Sequence, residues 1–299
     1  MNNVPNRPAT SGSEATTTYG VRMTVTIDGA EPQPRELIVT LFGLYARAEN
    51  NWLPVAGLVR LMADLGIDGP AVRSSVSRLK RRDVLRSERH EGAVGYALSQ
   101  SALDVITEGD TRIFHRRRGT AEDGWIILVF SVPESERDKR HTLRTALTRL
   151  GFGTVAPGVW IAPGQLARET REMLERRGLS AYVEMFDGHH LAFGDLRAKV
   201  RRWWDLEELT LQYADFVQRH RPALAEFGGR AVPPDKAFAI YVPMLTEWRR
   251  LPYLDPGLPL SLLPPGWHGV TAEQLFNDLN EALSGPAREH AVEVIHRRR

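Results

Sequence analysis

One segment restricts the fold of this chain more than any other. Residues 69–83, GPAVRSSVSRLKRRD, set Val72, Val76 and Leu79 at i, i+4 and i+7, which is one face of a helix, and Arg73, Ser74, Ser77, Arg78 and Arg81 on the other side. Such a helix belongs at a surface, its apolar stripe against a core and its cations and short hydroxyls outward. Asp68 stands where an N-cap is needed. Two helical segments come first. RELIVTLFGLYARAEN, from Arg35, repeats Leu37, Ile38, Leu41, Leu44 and Tyr45 at helical spacing, and LPVAGLVRLMADLG puts Leu58, Leu61, Met62 and Leu65 on one face and stops at Gly66. After it, VLRSERH and GYALS are two short alternating runs joined by EGAV and read as a β-hairpin. Three helices, a four-residue turn between the second and third, then a hairpin make the order of a winged helix-turn-helix.

The outward face of the third helix has the chemistry that reading a duplex requires. Forked or short polar groups reach base edges in the major groove while surrounding cations hold phosphates. Arg73, Ser74, Ser77, Arg78, Arg81 and Arg82 on the helix, with Arg86 and Arg89 on the wing, are the expected DNA-binding residues. Charge totals hide this: 39 basic against 37 acidic residues leave only +2, but residues 71–90 alone carry +5 and residues 121–299 carry −1. Arg makes up 35 of the 39 basic residues, and its planar fork suits phosphate and guanine.

The rest of the chain divides by pattern. Residues 1–33 form a polar extension, Ser-, Thr-, Asn- and Pro-rich at its start, expected to be disordered. Residues 34–99 are the winged helix, and 100–120 are a linker helix capped by Ser99. Arg112, Arg116, Arg117 and Arg118 close that helix as a solvated end or as reach toward flanking phosphate. In residues 121–194 the apolar run WIILVFSV, a helix, TVAPGVWIAP, a second helix, then LSAYVEMF with HHLAF follow the β-α-β-β-α-β order of a ferredoxin-like domain. Residues 195–299 are helical with Pro-rich breaks, among them LDPGLPLSLLPPGW with Leu258, Leu262 and Leu263 as anchors. The fold class is therefore α+β. Zero cysteine excludes disulfides, thiolate zinc and a Cys nucleophile. No stretch approaches the roughly 20 apolar residues of a membrane span, and the N-terminal residues lack an apolar signal core, so a cytoplasmic protein is expected.

Three segments together resemble the PaaX family, the repressors of phenylacetic acid degradation. They are LIVTLFGLYAR (37–47) with LGIDGPAVRSSVSRLKRR (65–82), WIILVFSVPESERDKRHTLRTALTRLGFGTVAPGVWIAP (125–163), and RRWWDLEEL (201–209) with EWRRLPYLDPGLPLSLLPPGWHG (247–269). The resemblance covers roughly residues 35–285. It implies a winged helix, a ferredoxin-like middle domain and a helical C-terminal effector and dimerisation domain. It also implies a homodimer on an inverted-repeat operator in double-stranded DNA, released by an aryl-acyl-CoA such as phenylacetyl-CoA, with no other cofactor. Arg73, Ser74, Ser77 and Arg78 fall in its recognition helix and Arg86–Tyr96 in its wing. For the effector, Arg201, Arg202, Trp203, Trp204, Trp248 and Arg249 combine aromatic faces with phosphate-binding cations; the same aromatics would equally serve as core with Arg at the rim.

Enzyme readings find less support. The middle domain also resembles metal-dependent ferredoxin-like nucleases of CRISPR adaptation, which hold a divalent ion with an acid at the end of the first strand. Here that strand ends Phe130-Ser131-Val132, with no carboxylate before Glu134. His189 and His190 are adjacent and on a strand would point to opposite faces. No phosphate-binding glycine fingerprint or nucleophile elbow occurs, so no metal or catalytic residue is assigned. An activator of the same family, or a winged helix used for protein contacts, are the remaining alternatives; the last predicts no salt-dependent DNA binding.

Overall fold

The computed structural model describes residues 32–227 and 231–297, so all of the N-terminal extension but its last two positions lies outside the described residues. Helix α1 (Pro34–Leu44) begins at Gln33, whose backbone N–H donates to the Glu36 carboxylate at 3.1 Å. Strand β1 (Trp52–Pro54) leads into α2 (Val55–Asp64), which ends before Gly66 at φ +77°. Helix α3 (Gly69–Arg81) is capped as its sequence demands, the Asp68 side chain accepting from the Ala71 N–H at 2.8 Å. Strands β2 (Leu85–His90) and β3 (Ala93–Leu98) pair antiparallel across Glu91-Gly92, both with positive φ, the conformation a two-residue hairpin favours. Strand β1 adds to β3, giving the order β1-β3-β2. This third strand is too short, and too close to a proline, for alternation to reveal it.

Helix α4 (Gln100–Phe114) starts at Ser99, whose hydroxyl accepts from the Ala102 N–H at 3.2 Å. It leads to a four-stranded antiparallel sheet of β4 (Trp125–Phe130), β5 (Gly153–Ala156), β6 (Val159–Pro163) and β7 (Val183–Gly188) in the order β5-β6-β4-β7. Helices α5 (Arg137–Arg149) and α6 (Ala167–Arg176) cover one face, on Ile126, Leu128, Trp160 and Ala162. This is the ferredoxin-like arrangement the segment order implies. HHLAF adds no further strand: the chain leaves the sheet at Gly188.

Helices α7 (Leu196–Trp203), α8 (Leu206–Phe227), α9 (Pro234–Trp248), α10 (Leu251–Leu254) and α11 (Gly269–His296) complete the described chain. Pro222, Pro243 and Pro286 lie inside helices that continue past them. The apolar faces of α8, α9 and α11 do not form a separate core. Phe238, Val242, Leu245, Phe276, Leu279 and Ile295 pack in one continuous cluster with Leu37, Ile38, Leu41, Phe42, Leu58 and Leu61 of the winged helix. Buried Thr246 donates to Thr40 across this junction at 2.8 Å, and His290 of α11 meets Asp64 of α2 at 2.9 Å. Thus residues 34–99 and the C-terminal helices form one body, and the middle domain has its own core. On the second face of the middle sheet, Trp125 and Ile161 pack with Val200, Trp204, Leu206, Leu258 and Leu263, and Leu262 packs partly buried against them, so all three leucines anchor the Pro-rich segment.

Candidate nucleic-acid interface and effector cavity

In α3, Val72, Val76 and Leu79 are buried, joined by Ser75, while Arg73, Ser74, Ser77, Arg78 and Arg81 are all exposed. Arg78 donates to Ser74 at 3.1 Å, which pre-positions two of the outward groups in the second and third turns. Lys80 reaches Ser87 at 2.7 Å and so ties α3 to the wing. Arg82 is half-buried at the helix end, and Arg86 and Arg89 are exposed on β2, Arg86 lying 3.4 Å from Glu88. Among the described residues no carboxylate pairs with Arg73, Arg81 or Arg89. An exposed cationic helix with a basic ribbon beside it can enter a major groove and hold the adjoining phosphates.

The arginines that end α4 are not a solvated helix end. Arg116 and Arg118 approach the Asp255 carboxylate at 2.8 and 3.0 Å, and Arg118 also donates to the Leu258 carbonyl at 3.1 Å. Asp255 has no exposed surface and accepts further bonds from the Tyr213 hydroxyl at 3.0 Å and the Gly257 N–H at 2.8 Å. Burial alone would raise its pKa, but the Arg116 and Arg118 guanidiniums hold it well below the usual carboxylate range. These cations serve the Pro-rich segment and are not directed to phosphate; Arg117, exposed, pairs with Asp123 at 3.1 Å.

The six residues expected to hold an effector do not converge. Arg201 and Arg202 are exposed on α7. Trp203 and Trp204 pack on the second sheet face, Trp204 donating to the Gly151 carbonyl at 2.9 Å. Trp248 is buried, stacked on Phe276 at 4.5 Å and bonded to the Ile113 carbonyl at 3.1 Å. Their aromatic surface is spent on packing. Trp248 lines a cavity beside Arg116 and Tyr213, and Arg249 lines a different one, of about 200 Å³, at the seam between the middle domain and the rest of the chain. Its walls come from α1 (Val39, Gly43, Leu44), α4 (Val105, Ile106, Ile113), α5 and α6 (Ala146, Leu150, Met173) and the α9–α10 corner (Leu245, Tyr253). About 150 Å³ of apolar cavity is enough for a benzene ring.

The cavity is strongly cationic for an apolar space. Arg47 is paired with Asp110, Arg176 lies 3.3 Å from Glu108, and Arg112 lies 3.7 Å from Glu169. Arg149 and Arg177 on the middle-domain side and Arg249 and Arg250 on the other have no carboxylate partner among the described residues. Arg249 donates to the Glu36 carbonyl at 3.2 Å, and its buried Nε has no partner. Burial pushes its pKa down to about 10, and burial followed by the neighbouring Arg177 lowers that of Arg149. Desolvated guanidiniums on both walls of an apolar cleft form a site for an anion that carries an apolar group. No group of three or more His, Asp or Glu side chains among the described residues could hold a metal ion, and no helix among them is long and apolar enough to cross a membrane.

A three-part chain of this order, with a basic helix-and-hairpin face at the N-terminal end and a ferredoxin-like middle domain, has the architecture of a transcriptional regulator. Sequence models of the PaaX family match all three parts: the PaaX-like protein model at residues 33–102, the PaaX protein central Cas2-like domain at 118–200 and the PaaX-like protein C-terminal domain at 204–293. The transcriptional repressor PaaX of Escherichia coli (strain K12) is 30% identical over 261 residues, covering 84% of this chain and 80% of its own. The chain belongs to the PaaX family. Among solved structures, uncharacterized protein Rv0674 from Mycobacterium tuberculosis superposes with a TM-score of 0.50 at 24% identity, covering 85% of this chain and 97% of its own, a likeness of fold.

Proposed function

We propose that this protein is a dimeric transcriptional repressor of an aromatic-acid, phenylacetate-like catabolic operon, released from an inverted-repeat operator by an aryl-acyl-CoA. The reading rests above all on the outward face of α3, where Arg73, Ser74, Ser77, Arg78 and Arg81 stand exposed together with two of the cations unpaired. Membership of the family whose E. coli relative is named a transcriptional repressor supports repression over activation, and supports a regulator over a nuclease. Residues 69–82 enter the major groove while Arg86 and Arg89 hold adjoining phosphates.

The effector's aryl-acyl end takes the apolar cavity, and its phosphates lie among Arg149, Arg177, Arg249 and Arg250. The second copy docks on the open part of the middle-domain sheet. There Val129 and Phe186, on the same face as the covered Trp125 and Ile127, are exposed, and Leu191 and Phe193 follow β7 almost wholly in solvent at 93% and 91%. The C-terminal helices are less suited to dimerisation, since α8, α9 and α11 spend their apolar faces on the shared core. A ligand in the seam then changes the angle between the DNA-reading body and the dimerising domain, and with it the half-site spacing. It does so only to the extent that it binds the two geometries unequally.

The test is selection of bound sequences from a random duplex pool by the purified protein, followed by titration with phenylacetyl-CoA, CoA and phenylacetate. An enriched inverted repeat, bound in a salt-dependent way and released by the thioester, is the expected result. Enrichment of no sequence would overturn the DNA-reading assignment; release by none of a panel of acyl-CoAs would overturn the effector.

A further inference from the structure

One buried side chain touches both walls of the seam. Arg112, in the last turn of α4, donates through Nε to the Pro252 carbonyl at 3.1 Å and through Nη2 to the Leu150 carbonyl at 2.9 Å. Its guanidinium lies 5.4 Å from the centre of the Tyr253 ring, and Nη1 is 3.7 Å from Glu169. Pro252 and Tyr253 belong to α10, on the body that carries the winged helix, whereas Leu150 and Glu169 belong to the middle domain. The side chain is only 10% exposed and lines the cavity. Both acceptors within hydrogen-bond distance are neutral carbonyls. Burial, the largest influence, lowers the pKa of the group in spite of Glu169, so its charge is under-compensated where it stands.

Resting on the reading of this cavity as the effector site, we infer that Arg112 is the clasp through which the effector is sensed: in the ligand-free protein it pins the middle domain to the DNA-reading body, and an anionic group of the ligand draws it off both carbonyls. The bonds to Leu150 and Pro252 carry charge on the donor alone, whereas a carboxylate or phosphate brings the opposite charge and accepts two parallel N–H bonds from the guanidinium fork, so an anion in the cavity outcompetes the two carbonyls for it. The other cross-seam ion pair at the cavity rim, Arg176–Glu108, is half-exposed on both sides and holds weakly in water. With Arg112 withdrawn, the packing of α7 and residues 258–263 on the far sheet face remains as the hinge. Arg112 is thus a positioning residue that converts occupancy into domain movement.

The measurement is the ratio of phenylacetyl-CoA affinities for free and for operator-bound protein, read by anisotropy of a labelled operator and by titration of the free protein. Coupling of this kind is typically about 5–150-fold. Arg112→Met keeps the stem without the charge, and Arg112→Lys keeps the charge without the fork that spans two carbonyls. Both are expected to bring the ratio to within about twofold of unity, with the Lys variant retaining more ligand affinity. A structural brace would lower the melting temperature and leave the ratio alone, so a wild-type ratio in either folded variant overturns the inference. Failure of both variants to fold assigns the residue a structural role and overturns it too. If wild-type protein is released by none of the acyl-CoAs, the effector reading falls and this inference with it; release of wild type with unchanged coupling in the variants removes this inference alone.

Discussion

Replacing Asp255 by Asn tests the electrostatics of the seam directly. Its carboxylate has no exposed surface, and Arg116 and Arg118, themselves 14% and 17% exposed at the side chain, both address Oδ2. The amide keeps one acceptor for the Gly257 N–H but removes the carboxylate that pairs directly with both largely buried guanidiniums, leaving only the more distant Glu273 acting on Arg116, and its NH2 competes with their donors. Breaking a buried pair from one side costs about 3–5 kcal/mol, because the partner charge remains buried and unpaired. Spread over a chain of this size that corresponds to roughly 5–8 °C in melting temperature. The pH dependence carries the sign. The folded carboxyl is held below its ordinary value of 3.8, so its contribution is fully present above that pH and is lost as pH falls through the depressed folded value. Wild type should therefore lose stability from about pH 4 downward in a way that Asp255→Asn does not share. Thermal and urea unfolding at pH 7 and across about pH 2–5 read both effects. A loss below about 1 kcal/mol at pH 7 would refute the reasoning, since it would mean that solvent or relaxation already neutralises the cluster. Adding Arg116→Met and Arg118→Met to the Asn variant should recover most of the loss, because an apolar replacement of the whole cluster strands no charge.

Three further outcomes are expected. Arg73→Ala or Arg78→Ala lowers affinity for the selected operator by about 1–3 kcal/mol and relaxes preference at one base pair, as seen by anisotropy against point-substituted duplexes. Arg89→Ala on the wing weakens binding about equally on all sequences and reduces the slope of log K against log salt by roughly 1. Phe186→Asp, on the open sheet face, yields a monomer by light scattering that binds single half-sites but not the full repeat with dimer affinity; a variant that stays dimeric would move the interface elsewhere.

What the sequence makes legible is local. The second and third helices, the caps at Asp68 and Ser99, the turn glycine at 66 and the apolar stripe of α3 are each decided within a few residues, and the structure has them where spacing puts them; the first helix, expected to run to about Asn50, stops at Leu44 and gives way to a short 3-10 turn at Ala46–Glu49. What is not legible depends on partners far along the chain. The arginines at 112, 116 and 118 look like a solvated run because the carboxylate that claims two of them is more than 130 positions away. Trp203, Trp204 and Trp248 look like a ligand face because nothing nearby shows that a sheet and a helix pack against them. The cavity draws its walls from segments between residues 39 and 253, so no window of sequence contains it. Gly285-Pro286 reads as a helix stop, yet α11 runs on to His296 because Ala287, Ala291, Val294 and Ile295 are buried in the common core, and tertiary packing outweighs the local cost of proline.

That common core changes how a signal can travel. A winged helix on a free tether could rotate alone, and a ligand would need to grip it directly. Here α1 and α2 share buried side chains with α9 and α11, so turning the winged helix against the C-terminal helices would expose Ile38, Phe42, Phe238 and Phe276, all essentially inaccessible to solvent. At roughly 25 cal/mol per Å² of apolar surface, exposing even two such side chains costs several kcal/mol, more than the 1–3 kcal/mol that coupling between sites usually supplies. The seam with the middle domain has no such core beside the cavity: its polar ties there are Arg112 and a half-exposed ion pair. On the proposed reading, movement therefore concentrates at the seam, where the cavity lies, and the N-terminal head is carried by the C-terminal body as one piece.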